Sequence, residues 1–251
     1  MGSGYILETQ NLTKEFRGFV AVDGVELKVR EGTIHALIGP NGAGKTTVFN
    51  LLTKFLQPSN GKIYFKGEDI TAAKPAALAV RGLVRSFQIS AVFPHLTVLE
   101  NVRVALQRKV GTSFHFWKSD STLDCLNSRV IEILDDVDLV DFANHIAVEL
   151  PYGRKRALEL ATTFALEPEV MLLDEPTSGM GHEDVGMVVS LIRRLAAKRT
   201  VLMVEHNLKV VEDLSDTITV LQRGQILAEG SYDEVSNNPH VLEAYVGGTH
   251  V

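Results

Sequence analysis

Three short stretches carry residue types at a spacing that could act on a phosphate. The first is GPNGAGKTT, residues 39–47, which follows the apolar run TIHALIG and leads into a helical pattern. It fits G-x-x-x-x-G-K-[ST], in which glycines let successive backbone N–H groups converge on an anion at the positive end of the following helix. Lys45 is then placed to reach the β- and γ-phosphates of a nucleotide, and Thr46 to set its hydroxyl on Mg²⁺. A plain strand-to-helix turn would need one glycine, not three with Lys-Thr in register. The second stretch, VMLLDEP, is an apolar strand pattern ending in Asp174 and Glu175. Asp174 would address a metal through water, and Glu175 would polarise an attacking water. The third is TVLMVEH, closed by His206. A histidine at a strand end is ordinarily structural. At the carboxyl edge of a parallel strand beside a nucleotide, it is placed for the γ-phosphate.

A fourth stretch, ELPYGRKRALELA (residues 149–161), has its charges the wrong way round for a helix start. Unpaired N–H groups there favour acidic side chains, so each cation costs from a few tenths up to ~1 kcal/mol. Arg154, Lys155 and Arg156 nevertheless follow Gly153 directly. Either an anion arrives, or this is a solvated basic turn with Lys155 paired to Glu159 at i,i+4.

The elements that must position these groups are readable from periodicity. YILETQNLTKEF and GVELKVREGTIHALIG read as strands, and PSNG turns the chain into another short strand at residues 62–65. Residues 45–55 read as a helix. From residue 72 to about 164 the pattern is mostly helical, with KVGTSFHFWKSDS as a loop inside it. VMLLDE and TVLMVEH lack alternation, as expected for strands buried on both faces of a parallel sheet. Between them Val185, Val188, Val189, Ile192, Leu195 and Ala196 make one helical face. TITVLQRGQILAEG reads as a hairpin around Arg223-Gly224, and Ser231 with Glu234 as a capping box. The whole is α/β with a helical insertion and no internal repeat.

At 251 residues the chain suffices for one large domain or a core with a subdomain. A net charge of −6 argues against nonspecific adhesion to nucleic acid. The single cysteine, Cys125, excludes an intrachain disulfide and a cysteine-built zinc site. No apolar run approaches the ~18–20 residues of a membrane span, and no signal-peptide pattern opens the chain.

These motifs, in this order, resemble the ATP-binding-cassette (ABC) family nearly end to end. Residues 39–46 look like its Walker A, and residues 170–175 like its Walker B with the catalytic glutamate. RSFQ sets Gln88 at the Q-loop, which senses the γ-phosphate and Mg²⁺ and lies against a transmembrane partner. His206 matches the switch histidine, and Phe16 the aromatic that stacks on adenine. The resemblance implies ATP held by Phe16, Val22, Asn41, Gly42, Ala43, Gly44, Lys45, Thr46 and Thr47. It implies Mg²⁺ at Thr46, Gln88 and Asp174, and catalysis by Glu175, His206 and Gln88. The family signature, usually Leu-Ser-Gly-Gly-Gln, aligns with Leu150, Pro151, Tyr152, Gly153 and Arg154, of which only Leu150 and Gly153 are kept. In the family this helix start faces the γ-phosphate on the opposite subunit, which would be the anion sought above. Pro151 brings neither the serine hydroxyl nor an N–H; Tyr152 adds bulk and a hydroxyl, and Arg154 a charged donor. Gly181, in SGMG, stands where the family often has Asp.

The fold implied is α/β: a P-loop NTPase (RecA-like) core with an antiparallel β subdomain and an inserted α-helical subdomain. It would be a single domain over 5–251, with core segments 5–88 and 157–235, a helical part at 89–156 and a C-terminal helix and tail at 236–251. The Tyr-Gly signature, GLVRSFQ, the TSFHFWKSD insertion and the NNPHVLEAYVG ending are similar to ATPases of branched-chain amino acid importers. That resemblance implies an ATP-hydrolysing subunit peripheral to the cytoplasmic face of the membrane. Its partners would be a second cassette, identical or paralogous, and transmembrane permease subunits; no nucleic acid and no membrane span of its own are expected. A urea or amide importer ATPase, and a soluble cassette acting on ribosomes or DNA, are the alternatives. The latter typically carry paired cassettes, coiled-coil inserts or basic arms.

Overall fold

In a computed structural model, residues 4–86, 92–110, 126–197 and 199–246 are described. Gln88, Cys125 and most of the KVGTSFHFWKSDS loop lie outside them. The chain opens with β1 (Tyr5–Phe16), β2 (Phe19–Val25), β3 (Lys28–Arg30) and β4 (Ile34–Ile38), then α1 (Lys45–Leu52), β5 (Asn60–Phe65) and β6 (Glu68–Asp69). Next come α2 (Pro75–Val80), β7 (Leu83–Ser86), α3 (Val98–Val110), α4 (Asn127–Asp136) and α5 (Tyr152–Ala165). Strand and helix then alternate: β8 (Val170–Asp174), α6 (His182–Ala196), β9 (Thr200–Val204) and α7 (Leu208–Leu214). β10 (Thr217–Gln222), β11 (Gln225–Gly230), α8 (Tyr232–Ser236) and α9 (Pro239–Val246) close the chain.

Two sheets result among the described residues. One is antiparallel, β2-β1-β5-β6 with β3 also on β1; the other runs β11-β10-β4-β9-β8-β7 and is parallel except for β11. β4, β8 and β9 are buried at all five positions, because both faces of this sheet are covered. Their residues divide between two cores. Met171 and Leu173 face the cluster built with α5 and α6, whereas Val170 and Leu172 face the cluster built with α1 and the antiparallel sheet.

Several local signals fold as read. The hairpin turns at Arg223 (φ 49°) and Gly224 (φ 83°), both left-handed as a tight primed turn requires. Ser231 and Glu234 form a reciprocal capping box on α8. The 188, 189, 192, 195 and 196 face of α6 is buried. Three expectations need correction. Residues 83–86 are strand β7, parallel to β8, inside the stretch read as helical. α1 ends at Leu52 rather than 55, as Lys54 enters the left-handed region (φ 63°). β9 stops at Val204, two residues short of His206. Among the described residues no helix is long and apolar enough to cross a membrane.

His35 is a titratable residue within the core. His35 of β4 is buried, with Nε2 2.8 Å from the Thr219 hydroxyl, which itself donates to Glu229 at 2.6 Å. A hydroxyl has one proton to give, so this network assigns the Nε2–H to a neutral His35. Burial pushes its pKa from 6.5 down to about 4. Between those values the unfolded chain binds a proton that the folded chain refuses, so stability is full above the unfolded value and drains as pH falls. At about 1.4 kcal/mol per pH unit, the loss at pH 5 is ~2 kcal/mol. Urea unfolding at pH 7 and pH 5 should show this drop in the wild-type chain, and His35→Gln should shrink it by roughly that amount.

Candidate functional site

The parallel ladders set the site. β4 and β9 pair Leu37 with Val204, β9 and β8 pair Val204 with Asp174, and β7 and β8 pair Ser86 with Leu173. The strands therefore end at one edge, where the loops after β4, β8 and β9 meet. This is where open α/β sheets bind ligands.

The loop after β4 holds its shape through glycines that have no room for a side chain. Gly39 (φ 147°) would drive a Cβ into the Leu221 carbonyl oxygen of β10, and Gly44 (φ 101°) would bring one to 2.6 Å from the Ala21 oxygen of β2. Val22, fully buried, lies next to Gly44. Lys45 at the start of α1 curls back, its ammonium 2.6 Å from the Gly39 oxygen and 3.0 Å from that of Pro40. Burial pushes the Lys45 pKa down, and the negative charge of Glu175 opposes the shift. Asn41, Gly42 and Thr46 are exposed, Thr47 is half-buried and Ala43 is buried. The first turn of α1 has no side-chain cap, so its N–H groups are directed at whatever the loop encloses. The C-terminal α9 reaches the same loop: a Gly39 backbone hydrogen bond opposes the upward push of burial on the Tyr245 phenol.

Asp174, at the end of β8, is almost completely buried and ion-paired to Arg85 of β7, which also donates to Asn50 of α1 at 2.7 Å. Glu175 takes the left-handed conformation (φ 46°) while its N–H donates to the Val204 oxygen at 2.9 Å. That pairing turns its side chain off the strand end and leaves it part-exposed. His206 Nδ1 lies 4.0 Å from Glu175 Oε1. The structure thus brings Lys45, Asp174, Glu175 and His206 to one edge. Thr46 and Asp174 offer a hydroxyl and a carboxylate oxygen, donors suited to a hard cation that also takes phosphate oxygens and water.

The basic helix start resolves differently from the sequence expectation. Glu159 pairs with Arg156 at i,i+3, 2.6 Å away and buried, not with Lys155. The Arg156 Nε also donates to the Pro176 oxygen beyond Glu175 at 3.1 Å. Arg154 lies over the Phe142 ring at 4.1 Å and donates to the Asp138 oxygen at 3.1 Å. Gly153 is buried, and a Cβ there would run into the Asp184 carboxylate of α6. Pro151 and Tyr152 stay exposed, with the Tyr152 hydroxyl donating to the Ser178 oxygen at 3.2 Å. The first intrahelical bond is Lys155 N–H to Pro151 O, at 3.0 Å. The N–H groups of Tyr152, Gly153 and Arg154 consequently lack an intrahelical acceptor.

Further out, Phe16 ends β1 half-exposed with the Lys14 ammonium 5.1 Å from its ring centroid, and Phe19 opposite it is more exposed. Sequence reasoning missed Arg85, Asn50 and Glu205, whose partners are distant in the chain. An apolar groove of about 400 Å³ lies between α2, β7, α3 and α5, lined by Phe55, Leu78, Leu83, Arg85, Phe93 and Val104.

With this geometry in view, similarity to known proteins is extensive. A family model described as ABC transporter matches residues 22–178, and one described as branched-chain amino acid ATP-binding cassette transporter matches residues 225–251. The high-affinity branched-chain amino acid transport ATP-binding protein BraF of Pseudomonas aeruginosa is 39% identical over 249 residues, spanning 96% of this chain and 98% of its own. The ADP conformation of MJ1267, an ATP-binding cassette of an ABC transporter, superposes with a TM-score of 0.85 at 32% identity, covering 97% of this chain and 99% of that one. The dimeric structure of MJ0796, a bacterial ABC transporter cassette, gives a TM-score of 0.72 at 26% identity over 90% of this chain and 98% of that one.

The Arg85–Asp174 pair makes a testable claim on stability. Removing one member of a buried ion pair leaves the other charge without compensation and typically costs about 3–5 kcal/mol. Arg85→Met should lower the urea midpoint accordingly. Adding Asp174→Asn, which removes the stranded charge, should recover part of the loss, so that the double variant costs less than the sum.

Proposed function

The chain belongs to the ABC transporter family and is an ATP hydrolase, and from this premise we propose that it powers import of branched-chain or other hydrophobic amino acids. The observation that carries the chemistry is the meeting of the Lys45 loop, Asp174, Glu175 and His206 at one sheet edge. For the cargo, the support is the relatives' naming and the match of residues 225–251. The chain would work peripherally, at the cytoplasmic face of the membrane, beside permease subunits.

In this reading the N–H groups of residues 42–47 and the Lys45 ammonium cradle the β- and γ-phosphates, and Phe16 stacks on adenine. Mg²⁺, when bound, spreads the phosphate charge; Thr46 and Asp174 would hold it, with Gln88 the third group proposed. Glu175 polarises the attacking water from a backbone conformation that turns its carboxylate off the strand end. His206, 4.0 Å away, holds the γ-phosphate oxygens. Little covalent chemistry is asked of the protein, since phosphoryl transfer depends mainly on positioning and charge stabilisation.

Two interfaces complete the proposal. The groove beside Phe55 and Phe93 would receive a permease helix: both rings are 53% exposed and lie together along one apolar groove. Phe93→Glu should abolish transport-coupled hydrolysis in the assembled importer while sparing the isolated subunit's basal hydrolysis. Loss of both together would instead mark Phe93 as part of the core.

The second interface would be with another cassette, its γ-phosphate meeting the start of α5. Glu175→Gln removes the water-activating carboxylate and its repulsion of the γ-phosphate, so this variant should elute as a dimer with ATP and as a monomer with ADP. Because Gly153 faces Asp184, an acidic probe belongs at the exposed Tyr152. There, Tyr152→Glu favours its own helix dipole, yet sets a like charge toward an opposing phosphate. At 4 Å and an effective dielectric of 20 the repulsion is on the order of 4 kcal/mol. The double variant should keep its fold and monomeric ATP affinity but lose the dimer. An undiminished ATP dimer would refute the facing of α5 and phosphate.

A further inference from the structure

One buried charge at the site has no part in the reaction described above. Glu205, between β9 and His206, is fully buried. Its Oε1 accepts from the Thr177 N–H at 3.1 Å and the Thr177 hydroxyl at 2.5 Å. Its Oε2 accepts from the His206 N–H at 2.9 Å and the Asn207 N–H at 3.1 Å. A carboxylate offers about four acceptor sites, and here all are used. Three of the donors are backbone groups, so what this side chain fixes is the path of two loops.

Those loops carry Glu175 and His206. Thr177 lies two residues beyond Glu175, while His206 adjoins Glu205 itself. From the other side the Val204 oxygen takes the Glu175 N–H at 2.9 Å, and Arg156 grips the Pro176 oxygen at 3.1 Å. The segment 175–177 is thereby held at successive residues, and Glu205 supplies the contact that refers it to His206.

We propose that Glu205 is a positioning residue for hydrolysis, clamping the loop after Glu175 to the backbone of His206 so that both side chains meet one γ-phosphate. This rests on the reading of Glu175 and His206 given above. Glu205 touches no reacting atom; it acts through its neighbours. Its ionised form suits the task because every partner is a donor. An amide of equal size would satisfy only one of the two loops, since its NH₂ must face N–H donors on the other.

The test is a double-variant cycle on the full chain, reading kcat and KM for ATP, with circular dichroism to check folding. Glu205→Gln should lower kcat at least about tenfold while KM changes less than about twofold, because the Lys45 loop is untouched. His206→Ala should also lower kcat, and adding Glu205→Gln to it should cost less than about twofold more, as expected for groups acting as one unit. Should Glu205→Gln fail to fold, Thr177→Val removes one donor only and serves in the same cycle, with a decrease of at least about threefold that vanishes in the His206→Ala background. Equal losses in both backgrounds, or an unchanged kcat in Glu205→Gln, overturn the clamp while leaving the histidine's role intact. An unchanged kcat in His206→Ala overturns the histidine's role and the clamp together.

Discussion

The parallel register of β4, β9, β8 and β7 is the constraint on which the rest depends. Parallel ladders place strand ends in step, so loops far apart in sequence emerge side by side. Each of β4, β8 and β9 has only five residues, buried throughout and divided between two cores. Shifting one strand by one residue would exchange its faces and displace its loop by roughly 3.3 Å, about the length of the hydrogen bonds the site needs. The core and the site are thus specified by the same register, and neither can drift without the other.

Charge is concentrated at that edge, and the protein balances it in two ways. Asp174 is answered by a cation, Arg85, whereas Glu205 is answered by backbone and hydroxyl dipoles. The difference matters for what each carboxylate can do next. Arg85 takes one oxygen of Asp174, Oδ2, while Glu205 has both oxygens engaged and is held fast. Glu175 and Lys45 lie between these extremes, partly exposed and coupled through charge. Groups that must meet a changing ligand keep some freedom; those that define the frame do not.

Much of this was legible in sequence where the signal is local. The glycine-rich loop, the two acids after VMLL, the Arg223-Gly224 turn, the Ser231 capping box and the α6 stripe each lie within one window. β7 was not legible, because four residues with a cation among them carry no period and lie inside helical sequence. Arg85 and Glu205 were missed for another reason: their partners lie 89 and 28 residues away, and only the folded ladder joins them. The basic segment 154–156 was legible as an anomaly, but its explanation was not. Spacing suggested Lys155 with Glu159, whereas helix rotation brings Arg156 onto Glu159 in the buried face and sends Arg154 over Phe142.

That outcome changes the character of the α5 start. Two of its three cations are committed within the subunit, one to Glu159 and the Pro176 carbonyl, the other to an aromatic ring and the Asp138 carbonyl. They offset the unfavourable charge at the helix start by binding groups of their own, so neither requires an arriving anion. What remains without an intrahelical acceptor is backbone: the N–H groups of Tyr152, Gly153 and Arg154, preceded by a proline that caps nothing. Uncapped N–H groups at the positive end of a 14-residue helix attract anions by the same physics as the loop before α1. Pro151 removes one donor and Tyr152 returns a hydroxyl, already placed near Ser178 on the loop beyond Glu175. An anion at this helix would therefore be read by dipoles rather than by arginines, since Arg156 is engaged by Glu159 and by Pro176, one residue beyond Glu175.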